Sequence, residues 1–235
     1  MNLSAPRRLP GGKLGQVFRA IVQGDPRFLG VHGGRGSAKS ETIAGAIATR
    51  ATLKTTQSVG IRERMNSLKE SSKATFELVI RRMRLTGWKF GEYELSNVNG
   101  SRIIFRGLHA TTSDSIRSLA GTDIAWVDEA HSISESSLRT LLPTIRKDGS
   151  QIIFSLNPHD PEQAVYRDFV ARPAYPDQTL TVQANWVDNP FFPLSLNLQR
   201  LADEKRDPEM AEHVWNGKPA ILSACLLYTS PSPRD

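Results

Sequence analysis

An α/β domain, with helices covering both faces of a mostly parallel sheet, is predicted by three observations. Short apolar runs alternate with helix-patterned segments along most of the chain. The runs Phe28–His32, Ile124–Val127 and Gln151–Leu156 each lead into glycine or polar residues, at the strand ends beyond which parallel sheets hold their ligands. The 235 residues are 39% hydrophobic and 23% charged, which is enough apolar material for a large core, and no internal repeat divides them.

Taken in order, residues 1–26 form a lead-in in which Pro6, Pro10 and Gly11-Gly12 precede a helical stretch from Leu14 to Gln23. The strand Phe28–His32 enters Gly33-Gly34-Arg35-Gly36-Ser37-Ala38-Lys39-Ser40. A helix follows from Glu41 to about Ala51, burying Ile43, Ala46 and Ile47. Thr55–Ile61 is a second strand, leading to Arg62-Glu63-Arg64. Asn66 to about Leu85 is patterned as a long amphipathic helix whose polar face carries Lys69, Lys73, Arg81, Arg82 and Arg84. Tyr93–Asn97 and Ser101–Arg106 alternate in polarity around Val98-Asn99-Gly100, the pattern of an inserted β-hairpin. The core strand Ile124–Val127 ends at Asp128-Glu129, and a helix over Ser134–Ile145 opens on Ser134 as its cap. The strand Gln151–Leu156 ends at Asn157-Pro158. Glu162–Val170 is helical, Gln178–Gln183 is a further strand, and Asp188-Asn189-Pro190 breaks the chain. A last helical region, Leu194 to about Trp215, is interrupted near Asp207-Pro208.

Gly33 to Ser40 has the order strand, glycine-rich loop, Lys-Ser, helix that builds a phosphate-binding loop. Its glycines let backbone N–H groups converge on phosphate oxygens, and the helix that follows points its positive end at the same place. Lys39 reaches the β- and γ-phosphates and Ser40 offers its hydroxyl to Mg2+. Ala38 stands where the second glycine of the pattern is usual, which is tolerable if that residue is already helical. Asp128 is placed as the carboxylate that helps Ser40 hold magnesium, and Glu129 as the group that orients and deprotonates the attacking water. Two adjacent carboxylates cannot share a strand face, so the chain must turn between them. Ser155 and Asn157, short polar residues at the next strand end, are suited to sense the γ-phosphate by bonding to it or to Glu129. These residues favour ATP hydrolysis over transfer to a small substrate.

The net charge of +6 permits contact with a polyanion. No apolar run approaches the about 20 residues of a membrane span, and Met1 to Arg8 lacks the apolar core of a signal peptide. One cysteine, Cys225, excludes an internal disulfide framework and a cysteine-based zinc site. It opens residues 225–235, which resemble an in-frame translation of a sequencing adapter, so the expected division is a lead-in 1–26, a domain 27–219 and a non-domain tail 220–235.

The order of motifs resembles the ATPase domain of large terminase subunits from tailed double-stranded DNA bacteriophages. The matching segments are Gly33–Ser40, Ile61-Arg62-Glu63-Arg64 with Ser67-Leu68-Lys69-Glu70-Ser71, Ile116–Gly121, Ala125–Ala130, Ser155–Pro158 and Asp188-Asn189-Pro190. The resemblance implies a three-layer α/β/α P-loop NTPase of RecA-like, ASCE type. Its expected ligands are ATP and Mg2+, held by Gly33, Gly34, Arg35, Gly36, Ser37, Ala38, Lys39, Ser40 and Asp128. It further implies Glu129 as the catalytic glutamate, Arg35 and Arg62 as arginines near the phosphates, and Ser155 and Asn157 as the coupling motif. The implied work is packaging of double-stranded DNA into a procapsid in the cytoplasm of an infected bacterium. Portal protein and a small terminase subunit are the implied partners of a ring homo-oligomer with no membrane contact. The family continues into a nuclease domain whose acid cluster is missing from this sequence, so no DNA cleavage is expected of it. Two alternatives are a RecA-like helicase or translocase, and a nucleotide-gated nucleic-acid-binding scaffold with little turnover.

Overall fold

A computed structural model describes residues 11–63, 72–108 and 119–220. Arg64, Ser67 to Ser71, Ile116 to Ser118 and Cys225 lie outside the described residues. The elements run α1 (Gly12–Gln23), β1 (Phe28–His32), α2 (Lys39–Leu53), β2 (Gln57–Arg62), α3 (Ala74–Arg82), β3 (Trp88–Phe90), β4 (Glu94–Asn97) and β5 (Arg102–Gly107). They continue with β6 (Ile124–Val127), α4 (Glu135–Thr144), β7 (Gln151–Leu156), β8 (Thr179–Gln183), α5 (Leu194–Arg206) and α6 (Pro208–Asn216).

Among the described residues the strands form one sheet in the order β3-β4-β5-β2-β6-β7-β1-β8. From β5 to β8 every neighbour is parallel, and β3 and β4 add an antiparallel edge. The hairpin is therefore continuous with the central sheet: its second strand, β5, pairs along β2 from Gln57 opposite Arg102 to Arg62 opposite Gly107. Trp88–Phe90 forms a strand that the sequence pattern did not reveal. It has three residues, and the strand it pairs with supplies most of its order.

The sheet is covered on both sides, as its strands dictate. Along β7, Ile152, Phe154 and Leu156 face one core and Ile153 the other; along β6, Ala125 and Val127 oppose Ile124 and Trp126. One core takes Val17, Phe18, Ala20 and Ile21 of α1, the Ile43–Ala48 stripe of α2, and Phe76, Val79 and Ile80 of α3. The other takes Leu138 and Leu141 of α4 with Val165 and Phe169. The apolar face of α1 thus belongs to the same folded unit as the sheet. All residues of β6 and β7 are buried, consistent with central parallel strands that read as unbroken apolar runs.

Local signals start two of the helices where the pattern expects. Ser134 Oγ accepts from Ser137 N at the start of α4, and Asp207 Oδ1 accepts from Met210 N where α5 gives way to α6. Glu162–Val170 is less regular than a continuous helix: one α-turn, Ala164–Tyr166, passes into a wider turn at Arg167–Ala171. The basic face of α3 is largely engaged within the domain. Lys73 pairs with Glu77, Arg82 lies 2.5 Å from Glu41, and Arg81 sits 4.6 Å from the centroid of the Phe90 ring. Among the described residues no helix is long and apolar enough to cross a membrane.

Candidate active site

β1, β6 and β7 are adjacent and parallel, so their carboxyl ends open on one crevice. It forms a cavity of about 580 Å³, within the range of about 300–1,000 Å³ usual for small-ligand sites. Gly34 through Ser40, Arg62, Asp128, Glu129, Ser155 and Asn157 all line it, and Gly33 contributes its carbonyl to the bonds that hold Lys39. Every sequence-predicted site residue thus converges at this place.

Lys39 opens α2 with its Nζ curled back across the loop. It donates to Gly33 O at 2.9 Å, Gly34 O at 2.8 Å, Ser37 Oγ at 2.9 Å and Asn157 Oδ1 at 3.0 Å. The first N–H groups of α2 have no intrahelical partner and face the same mouth, which is the geometry of an anion site. Ala38 departs from expectation. It is left-handed, at φ 61 and ψ 21, and not part of the helical turn. A methyl group there costs about 1–2 kcal/mol relative to an ideal right-handed residue, so the loop holds a conformation that glycine adopts freely.

Burial pushes the Lys39 ammonium down to about 7, against an opposing pull from Asp128. Without nucleotide, the folded chain releases this proton between about pH 7 and 10.5 while the unfolded chain keeps it, so stability from this group rises with pH across that window. An anion placed against Nζ would restore the charged form. At pH 8 nucleotide binding is therefore expected to take up a proton, read by calorimetry in buffers of different ionisation enthalpy. Lys39→Met abolishes that uptake.

Asp128 directly follows β6, with both oxygens engaged. Oδ1 accepts from Ser155 Oγ at 2.9 Å and lies 3.5 Å from Ser40 Oγ. Oδ2 accepts from Ser72 Oγ at 2.9 Å and from the Arg62 guanidinium, whose Nη2 is 2.6 Å away. Arg62 Nη2 also lies 3.3 Å from Glu129 Oε1. The turn required between the two acids is present: Glu129 is left-handed, at φ 53, and its half-exposed carboxylate enters the cavity while Asp128 stays buried. Such a conformation in a non-glycine residue costs about 1–3 kcal/mol, and residues held this way concentrate at functional sites.

Ser155 and Asn157 are each held by a residue of the cavity. Neither bonds to Glu129: Ser155 bonds to Asp128 and accepts from the buried Trp126 indole at 2.9 Å, and Asn157 bonds to Lys39. The end of β7 thus touches both Asp128 and Lys39. Arg35 is exposed and lines the cavity from inside the loop.

Sequence reasoning missed Ser72, Thr75 and a row of histidines. His131 and His159 have ring centroids 4.6 Å apart, and His159 and His213 are 5.0 Å apart. His131 and His159 each follow a predicted site residue by two positions, a signal that was legible; His213 on α6 gave none. Burial, with the neighbouring His159, pushes His131 down to about 4, so at neutral pH its ring is uncharged.

The family model for the phage terminase large subunit matches residues 27–218, from the threshold of β1 past the end of α6. The chain belongs to that family. No protein with a curated description matches this terminase chain by sequence. Solved structures do. The large terminase of a thermophilic bacteriophage superposes with a TM-score of 0.66 at 14% identity, over 83% of this chain and 50% of that one. The ATPase domain of the Thermus phage P74-26 large terminase gives 0.59 at 17%, over 89% and 98%. The bacteriophage Phi-29 packaging motor assembly gives 0.57 at 16%, over 86% and 65%. The first of these three proteins has also been solved with ADP and with ATP-gamma-S. The mostly parallel sheet of the terminase chain is the fold of these domains, and the chain spans about half the length of that first structure.

Proposed function

We propose that this terminase chain binds ATP and Mg2+ in the crevice, hydrolyses the nucleotide, and couples hydrolysis to the movement of double-stranded DNA into a viral procapsid. One observation carries the reading. Asn157, at the end of β7, holds Lys39, while Ser155 of the same strand holds Asp128, which faces Ser40. Groups suited to phosphate, metal and coupling are therefore wired together in one cavity.

The residues fit the proposed ligands. Ser40 Oγ and Asp128 Oδ1, 3.5 Å apart, offer the hard oxygens that Mg2+ prefers. An ion there would draw its remaining ligands from water and substrate phosphates. When bound there, magnesium neutralises charge on the phosphate oxygens. Lys39 and the N–H groups at the start of α2 hold the phosphates, and Glu129 takes the proton of the attacking water. Arg35 and Arg62 stand at the cavity wall as counter-charges for the transferring group. Loss of the γ-phosphate alters the surroundings of Lys39, and Asn157 carries that change into β7.

The proposed partners are double-stranded DNA, a portal protein and a small terminase subunit, with the working form a ring of identical chains in the cytoplasm of an infected bacterium. The likeness to the Phi-29 motor assembly supports this reading. Residues 27–219 are the proposed ATPase unit. The test is steady-state ATP turnover with and without double-stranded DNA. Stimulation of severalfold by duplex, with no strand displacement, is expected. Stimulation by single strands together with strand separation would transfer the reading to a helicase, and turnover no higher than in Lys39→Ala would leave a nucleotide-gated scaffold.

A further inference from the structure

We propose that Asn185 and Asn189 are positioning residues for the phosphate loop, holding its Gly34–Gly36 span from behind so that the N–H groups from Gly36 onward meet the nucleotide ready-aimed. The inference rests on the reading of this loop as a nucleotide site.

The two side chains reach the loop with opposite polarity. Asn185 Oδ1 accepts from Gly34 N at 2.9 Å, and Asn189 Nδ2 donates to Gly36 O at 2.7 Å. Between these two contacts Arg35 N donates to Val214 O at 2.8 Å. Three successive residues are thus pinned by elements more than a hundred positions away. The amide of Asn189 cannot reverse without loss, because its Oδ1 accepts from Phe191 N at 2.9 Å. Asn185 is fixed by a reciprocal cap in which its own N–H donates to Asp188 Oδ2 at 2.9 Å.

The sheet delivers this brace. β8 lies beside β1 in parallel register, His32 opposite Gln183, and the ladder continues as Ala184 N donates to His32 O at 2.8 Å. Asn185 therefore emerges from β8 alongside the loop that emerges from β1. The same packing explains two of the glycines. A Cβ on Gly34 would run into the backbone of Trp215, and one on Gly36, at φ 71, into the ring of Phe192. Glycine here serves the close approach of the segment behind the loop as well as the phosphate in front of it.

Such a loop has a physical need for a brace. Glycines leave the free loop many conformations, and ordering them on binding would weaken the nucleotide's hold. Two oriented side-chain bonds supply that order in advance.

The test measures ADP affinity by calorimetry and ADP-free thermal unfolding in Asn185→Ala, Asn185→Asp, Asn189→Ala and Asn189→Asp, with Lys39→Ala as reference. Each alanine variant is expected to weaken ADP by about threefold to tenfold, the range for one lost hydrogen bond. Asn185→Asp keeps the acceptor for Gly34 N, whereas Asn189→Asp turns a carboxylate oxygen toward Gly36 O. Each aspartate adds one negative charge near the loop, but only Asn189→Asp also turns an acceptor against an acceptor, so Asn189→Asp is expected to bind ADP more weakly than Asn185→Asp. Wild-type affinity in both alanine variants, equal losses in both aspartates, or losses that merely follow the melting temperatures would overturn the brace. If Lys39→Ala also bound ADP like wild type, the nucleotide reading itself would fall. Loss in Lys39→Ala alone would overturn only the brace.

Discussion

Glu129→Gln is expected to lower ATP turnover by about 10²–10⁴-fold, the usual contribution of a positioned general base, while leaving ADP and ATP-gamma-S affinity within about threefold of wild type. The substitution keeps size and backbone. Glu129 contributes one ion pair, 3.3 Å from Arg62, and its side chain is 52% exposed, so little packing is lost. What disappears is an oxygen able to take a proton from water. The loop, Lys39 and Ser40 are untouched, and binding should survive. Phosphate release under single-turnover conditions separates the two quantities. Full turnover in Glu129→Gln would remove the residue from the mechanism.

Arg62→Ala should be the most damaging change to stability at the site, at about 3 kcal/mol, the cost of stripping one partner from a buried ion pair. The Arg62 and Asp128 side chains are 8% and 7% exposed, and their oxygen and nitrogen are 2.6 Å apart. Removal leaves the Asp128 carboxylate buried beside Glu129 with hydroxyl donors in place of a cation. Chemical denaturation of the nucleotide-free protein measures the loss. Magnesium with nucleotide should recover part of it by restoring positive charge, and a loss below about 1 kcal/mol would show that the pair contributes no more than a surface one. Turnover should fall as well, since Arg62 lines the cavity and contacts both acids.

The parts of this site legible in the sequence are those written into contiguous residues. Gly33 to Ser40 carries its own context, a strand before and a helix after, and Asp128-Glu129 and Ser155–Asn157 mark strand ends by a change from apolar to polar. Partners across the sheet were beyond reach. Arg62 meets Asp128 over a separation of 66 positions and Asn185 meets Gly34 over 151, distances set by strand order and not by local pattern. For the same reason the bonds of Ser155 to Asp128 and of Asn157 to Lys39 had no local signal. Ala38 shows a finer limit: the identity of a residue does not reveal that its neighbours force it into the left-handed region. Trp88–Phe90 was missed because three residues give no periodicity to read; its order comes from β4, Trp88 pairing opposite Asn97.

The two oxygens of Asp128 divide the domain between them. Oδ1 answers to Ser40 and Ser155, from α2 and β7, and Oδ2 to Arg62 and Ser72, from β2 and the approach to α3. A single carboxylate is therefore gripped at once from α2, β7, β2 and the approach to α3. Whatever rotates that carboxylate disturbs contacts to all four of these segments at once.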